Sequence, residues 1–195
     1  MRSSHPLRGA FPPQNAHELE PGKGFELVND QVHELNVRAK SIRVGGRLYR
    51  WLDEYCDTHP GWAFPAETSF RCFTPDTNRF RKPDAAFIAL DRSTNEQYDS
   101  EGHISVRPDV VAEVLSPNDL IYEVNAKREE WLQAGVKLVW VIDPVESSIH
   151  IYRPDGSVAL LHATDTLTGD PVLPGFAVPV AELFRVPAAP AQPTG

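Results

Sequence analysis

Several absences narrow this chain before any motif is found. No apolar run approaches the roughly 20 residues that a bilayer-spanning helix needs. Residues 1–20 hold Pro6, Pro12 and Pro13 among scattered polar side chains and no apolar h-region, so no secretory signal is expected. Cysteine is nearly missing: Cys56 and Cys72 have no CxxC partner and no disulfide-rich context, which predicts two small buried hydrophobes in a reduced, cytoplasmic protein. The seven histidines show no HExxH or other paired zinc spacing. No GxGxxG or Walker-type loop supports a nucleotide cofactor, and Ser116 stands outside any GxSxG elbow. Positive charge is also short. A net charge of −8 argues against gripping nucleic acid by bulk electrostatics, though a local basic cleft remains compatible with it.

What is present suits one globular domain. The 195 residues are 41% hydrophobic and 24% charged, enough for one real core and too few for two. Residues 1–22 and the Pro/Ala-rich tail 187–195 are expected to be disordered, leaving a domain over 23–186. Patterning predicts a hairpin at 25–28 and 31–35 around Asn29-Asp30, then a helix over 38–58. Ile42, Leu48, Leu52, Tyr55 and Cys56 are that helix's inward candidates, and Gly45-Gly46 allows close packing at its centre. Strands are predicted at 62–73 and 84–90, then a polar connection over 92–107. Strand 108–116, helix 119–135 and strand 138–143 read as a parallel crossover. A second hairpin, 149–152 with 158–161, turns at Pro154-Asp155-Gly156, and a short helix spans 180–184.

One residue breaks the pattern. In the predicted helix 119–135, with Asp119 as its cap and Gly135 ending it, the core-facing positions are Leu120, Val124, Lys127, Trp131 and Ala134. Four are apolar and one is a lysine, so an anionic group should lie against this helix. The strand upstream supplies one: Glu113 sits mid-strand on the same face as Val111 and Leu115. Asp84 opens another apolar strand. Two carboxylates and an amine at buried positions suit a divalent metal with a charge-neutralising or water-activating lysine. The bland alternative is a structural Glu113–Lys127 ion pair. Asp109 and Glu67 are weaker candidates to assist.

Basic residues recur in two groups. Arg43, Arg47 and Arg50 follow helical spacing and read as a solvated face. Arg71, Arg79, Arg81 and Lys82 precede Asp84, where a substrate phosphate would have to sit.

The runs Arg81-Lys82-Pro83-Asp84, Pro108-Asp109-Val110-Val111-Ala112-Glu113-Val114-Leu115-Ser116-Pro117, Lys127 with Trp131-Leu132-Gln133-Ala134-Gly135-Val136, and Trp140-Val141-Ile142-Asp143-Pro144 resemble the putative restriction endonuclease family of bacteria, within the PD-(D/E)XK nuclease superfamily. The opening Phe25-Glu26-Leu27-Val28-Asn29-Asp30 and the closing Leu173-Pro174-Gly175-Phe176 through Leu183-Phe184 match the ends of that family, so the resemblance spans residues 23–186.

The resemblance implies an α+β fold, a mixed sheet flanked by helices, and a Mg²⁺ or Mn²⁺ site for phosphodiester hydrolysis in nucleic acid, with DNA the expected substrate. Asp84 matches the family's Pro-Asp aspartate and Glu113 its second acid, both as metal ligands. Glu26 corresponds to an N-terminal glutamate assigned to the catalytic set. One departure stands out: Leu115 occupies the place of the superfamily's ExK lysine. The resemblance puts that lysine on the following helix, at Lys127, as base or electrostatic stabiliser. A catalytically degenerate nuclease fold serving as a binding or regulatory module is the rival reading. A homodimer is a further expectation, because cutting both strands of a duplex takes two sites or two events.

Overall fold

The computed structural model describes residues 25–28, 31–34, 39–76, 78–92, 102–116 and 119–186. The segments 1–22 and 187–195, expected to be disordered, lie outside the described residues. Strands β1 (Phe25–Val28) and β2 (Gln31–Glu34) form the predicted N-terminal hairpin. Helix α1 (Ala39–Cys56) leads into β3 (Gly61–Pro65), β4 (Ala85–Ala89) and β5 (Val110–Val114). Helix α2 (Ile121–Gln133) returns the chain to β6 (Leu138–Asp143), followed by β7 (Ser148–Tyr152) and β8 (Val158–Leu161). The pair β9 (Thr166–Gly169) and β10 (Leu173–Pro179) precedes the short helix α3 (Val180–Phe184).

Strands β3 to β8 form one six-stranded sheet in sequence order. All its pairs are antiparallel except β5–β6, which the α2 crossover makes parallel, as the apolar strand–helix–strand pattern predicts. Alternation sorts side chains to two faces. Ala85, Phe87, Val110, Ala112, Val114, Trp140 and Ile142 meet Val44, Leu48 and Leu52 of α1. Ala86, Ile88, Val111, Val139 and Val141 meet Trp131 of α2 and Val136 just beyond it. Glu113 therefore points toward α2. Among the described residues no helix is long and apolar enough to cross a membrane.

Several local expectations need correction. The strand predicted over 62–73 stops at Pro65. Glu67 then takes a φ of 70°, and Phe70 makes only isolated bridges to Arg81 and Ile104. Ile42 is 57% exposed, because the buried row of α1 runs through Val44, Leu48 and Leu52 instead. Leu120, placed in the apolar stripe of α2, is exposed at the helix entrance. Asp119 does not cap that helix: its Oδ2 accepts from the Ser116 amide at 2.7 Å, and Leu120 holds the N-cap position without a side-chain bond. Gly135 ends α2 as expected, at φ +88°, while Arg107 Nη1 donates to the Ala134 carbonyl at 3.3 Å. Strands β9 and β10 were not anticipated. Their Leu167, Leu173 and Phe176 complete the core on the α1 side.

Candidate active site

The site is built where β4 begins and β5 ends. The register pairs Ala85 with Ala112, and Asp84 immediately precedes Ala85, at the point where this ladder ends. Asp84 N donates to the Ala112 carbonyl at 3.0 Å, so Asp84 and Ala85 both face Ala112. On the other side its Oδ2 accepts from Val114 N at 2.7 Å, so a side-chain oxygen takes the place of a ladder carbonyl. Asp84 thus ends the ladder at the residue adjoining Glu113. Gly45 makes room for it: a Cβ on that glycine would lie 3.2 Å from the Asp84 Cβ and 3.8 Å from Val114 Cγ2. The close helix approach expected of Gly45-Gly46 belongs to Gly45 alone, since nothing lies near Gly46.

Glu113 is 8% exposed and meets α2 with both oxygens. Trp131 Nε1 donates to its Oε1 at 2.8 Å, while Lys127 Nζ stands 3.8 Å from its Oε2. The lysine side chain is 21% exposed, so it reaches from the rim of the core toward the carboxylate. The anion predicted to face Lys127 is Glu113. Trp131 was expected only as core, and its donor role was missed. The signal was its spacing: residues 127 and 131 are one helical turn apart and reach the same patch.

Of the predicted set, Glu113 and Lys127 are brought together on the α2 side, while Asp84 stands at the start of the neighbouring strand with its Cβ toward Gly45 of α1 and Val114. Glu26 pairs with His33 in the separate β1–β2 sheet, and its side chain lies outside the described residues. Among the described residues no group of three or more His, Cys, Asp or Glu forms a metal cluster. Two carboxylates are hard oxygen donors, and Mg²⁺ binds through one or two of them while keeping several waters. Asp84 and Glu113 fit that chemistry and do not fit a closed protein cage.

The basic run before Asp84 differs from its expected role. Arg81 Nη2 lies 2.7 Å and its Nε 2.8 Å from Glu130 Oε2 on α2, and Arg79 Nη1 is 3.3 Å from Glu130 Oε1. Lys82, with a side chain only 1% exposed, pairs with Glu67 at 2.9 Å. These cations meet acids of the same chain: Arg79 and Arg81 tie the segment entering Asp84 to α2, and Lys82 ties it to Glu67 in the turn after β3. The Arg43–Arg47–Arg50 row reads as expected at Arg50, paired with Glu54 in the open. Arg47 instead donates to the carbonyls of Glu182 and Leu183 on α3.

Asp109 lies four residues before Glu113, about 13 Å along the strand at about 3.3 Å per residue. Burial alone would raise its pKa, but the Ala89 amide, Lys137 and Arg92 together hold it below the ordinary carboxylate range. It ties the far end of β5 and takes no part in the site. Burial pushes the thiols of Cys56 and Cys72 up to about 11, in keeping with unreactive packing residues.

The model of the Uma2 family, described as putative restriction endonuclease, matches residues 13–181. A crystal structure of a putative nuclease belonging to DUF820 from Anabaena variabilis superposes with a TM-score of 0.72 at 18% identity, covering 90% of this chain and 98% of that one. The likeness carries the restriction-endonuclease-like fold, a mixed sheet flanked by helices. No curated protein matches the sequence.

Proposed function

The chain belongs to the Uma2 putative restriction endonuclease family, and from that premise we propose that it is a metal-dependent endonuclease hydrolysing phosphodiester bonds in DNA. The observation that carries this reading is the carboxylate of Glu113, taken from α2 by Trp131 at 2.8 Å and Lys127 at 3.8 Å, beside the strand end that bears Asp84. Asp84 and Glu113 would hold one Mg²⁺ or Mn²⁺. When bound, the ion supplies Lewis-acid charge and lowers the pKa of a ligated water.

The protein's own groups have separable roles in this scheme. Val114 N orients the Asp84 carboxylate through Oδ2, and Trp131 Nε1 orients Glu113 through Oε1. Lys127 brings an ammonium to the same edge, where negative charge develops on the phosphoryl oxygens as the P–O bond breaks. The pairing of Arg79, Arg81 and Lys82 with acids leaves Lys127 as the cation best placed to meet that charge. Glu26 remains part of the proposed catalytic set through its match to the family alone. A homodimer would bring two such sites to one duplex.

The rival reading, a degenerate nuclease fold acting as a binding or regulatory module, draws support from Leu115 at the ExK position and from the 3.8 Å Lys127–Glu113 pair as a structural contact. Incubation of the purified protein with plasmid, single-stranded DNA and RNA in Mg²⁺, Mn²⁺ and EDTA separates the two. Cleavage of DNA that stops with EDTA supports the endonuclease. Binding without cleavage under every metal supports the module.

A further inference from the structure

We propose that the cleft between α2 and the β7–β8 hairpin is a nucleic-acid subsite, holding a nucleotide of the DNA strand that flanks the scissile phosphate. The proposal rests on the nuclease reading for what is cut, and on the cleft's own chemistry for what is bound. The cleft measures about 490 Å³, with Arg128, Leu132 and Gln133 on its helical wall and Tyr152, Arg153 and Ser157 on its strand wall. That volume suits a nucleotide-sized occupant.

Its position follows from the register. Glu113 pairs with Val141, and Val141 with His150, so one row crosses β5, β6 and β7 on the α2 face. Tyr152 lies two residues along β7 from that row, on the same face. With strands about 4.8 Å apart and about 3.3 Å per residue, Tyr152 is about 12 Å from Glu113. A polynucleotide strand covers that span in a few nucleotides. Arg128 is the residue after Lys127, so the helix turn that presents the proposed catalytic lysine also forms the cleft wall.

The groups there match the substrate. The Arg128 guanidinium lies 4.5 Å from the centre of the Tyr152 ring, forming a flat charged platform of the kind on which bases stack. Arg128 also bonds Asn125 at 3.0 Å and Glu129 at 2.6 Å, yet its Nε is buried with no partner among the described residues. Arg153 makes no ion pair and no side-chain hydrogen bond among the described residues, although it lines the cleft. Glu129, the acid of the lining, is already paired with Arg128. The cleft brings two guanidiniums, Arg128 and Arg153, to one place on a chain of net charge −8, with Asp155 on the adjoining turn acting on Arg153.

The test uses the full chain and fluorescein-labelled single-stranded and duplex DNA, with Ca²⁺ replacing Mg²⁺ during binding. Arg153→Ala should weaken binding several-fold and reduce the slope of log K against log salt by about one. Ser157→Glu, which brings a like charge to the strand wall, should weaken binding as well. Both variants should keep the wild-type circular dichroism melt. An iodouracil-substituted strand irradiated in the complex should cross-link within residues 152–158, located by mass spectrometry. Unchanged affinity and salt slope in both variants, cross-links elsewhere, or no binding of either DNA by the wild type overturns the subsite. Wild-type cleavage in Mg²⁺ is scored separately. Loss of the nuclease reading with cleft-dependent binding intact, or cleavage with no role for the cleft, tells the two failures apart.

Discussion

Trp131 and Glu113 are joined by a 2.8 Å hydrogen bond from the indole Nε1 to the carboxylate Oε1, between side chains that are both buried. One turn of α2 thus gives a neutral donor to one oxygen of Glu113 and a cation, Lys127, to the other. A buried carboxylate needs such partners to remain ionised. The bond also fixes the rotamer from which Glu113 could meet a metal.

Trp131→Phe keeps most of the ring volume and removes the donor. A hydrogen bond to a charged group contributes about 1.5–3 kcal/mol, so a urea melt should show a loss in that range. If Glu113 is a ligand, calorimetric Mn²⁺ affinity should fall about tenfold or more, as expected when an orienting partner of a ligand is removed. Unchanged metal affinity would reduce Trp131 to a packing residue.

Lys127→Met separates structure from chemistry at the lysine. The pair it forms is long and partly solvated, so stability should change by no more than about 1 kcal/mol. Cleavage should nevertheless fall by about 10²-fold or more, the scale of losing a transition-state charge partner. Wild-type turnover in this variant would leave Lys127 a structural residue.

Asp84→Asn and Glu113→Gln each keep an oxygen acceptor, for Val114 N and Trp131 Nε1 respectively, while removing the negative charge. Both variants should fold, bind Mg²⁺ more weakly and lose metal-dependent cleavage of a plasmid substrate. Full activity in either one removes that residue from the ligand set.

Arg81 and Glu130 join the segment entering Asp84 to α2 through a nearly buried ion pair at 2.7 Å. Arg81→Met strands Glu130 with the weaker Arg79 contact and should cost about 3–5 kcal/mol in a chemical melt. Adding Glu130→Gln should recover part of that loss. A melt unchanged by Arg81→Met would show that the pair does not anchor the helix.

His103 supplies a pH test of the same region. Burial first, then Arg71 and Lys82, push its pKa down to about 4, while its Nδ1 lies 2.6 Å from Ser69 Oγ and its ring stacks on Phe80. Between pH 6.5 and about 4 the unfolded chain takes up a proton that the folded chain refuses. Stability therefore falls as pH drops through that window, and this residue has no effect above it. For a partly solvated ring the contribution at pH 4 is about 1–2 kcal/mol. His103→Gln should flatten the pH dependence of the melt relative to wild type, a difference in which other titrating groups cancel. Parallel curves would refute the assignment.

Short-range periodicity made much of this protein legible. A period of two placed Glu113 on the face of Val111, and a period near 3.6 placed Lys127 on the inward side of its helix. Those two facts alone implied that the residues meet, and the structure joins them. The parallel β5–β6 crossover was legible for the same reason, since both apolar strands flank one helix. Positions near element ends were not. Leu120 and Ile42 fit a periodic stripe yet face solvent: Leu120 stands at the entrance of α2, and Ile42 lies off the buried row of α1 formed by Ser41, Val44 and Leu48.

Choices between distant partners belonged to the tertiary structure. Nothing local tells Arg81 to seek Glu130 rather than a phosphate; 49 residues separate them, and the approach of α2 to the β4 entry decides it. Asp84 leaves the ladder through a bond to Val114 N, a contact set by strand register and by the room that Gly45 provides. The β9–β10 pair escaped notice because β9 is only four residues long and β10 is interrupted by Pro174 and Gly175, and their apolar residues find a face only once α1 and the sheet exist. The sequence determined which groups carry charge and which side of each element they occupy, because those follow from backbone geometry. Tertiary structure decided which opposite charges meet, because that depends on distances between elements that no local period encodes.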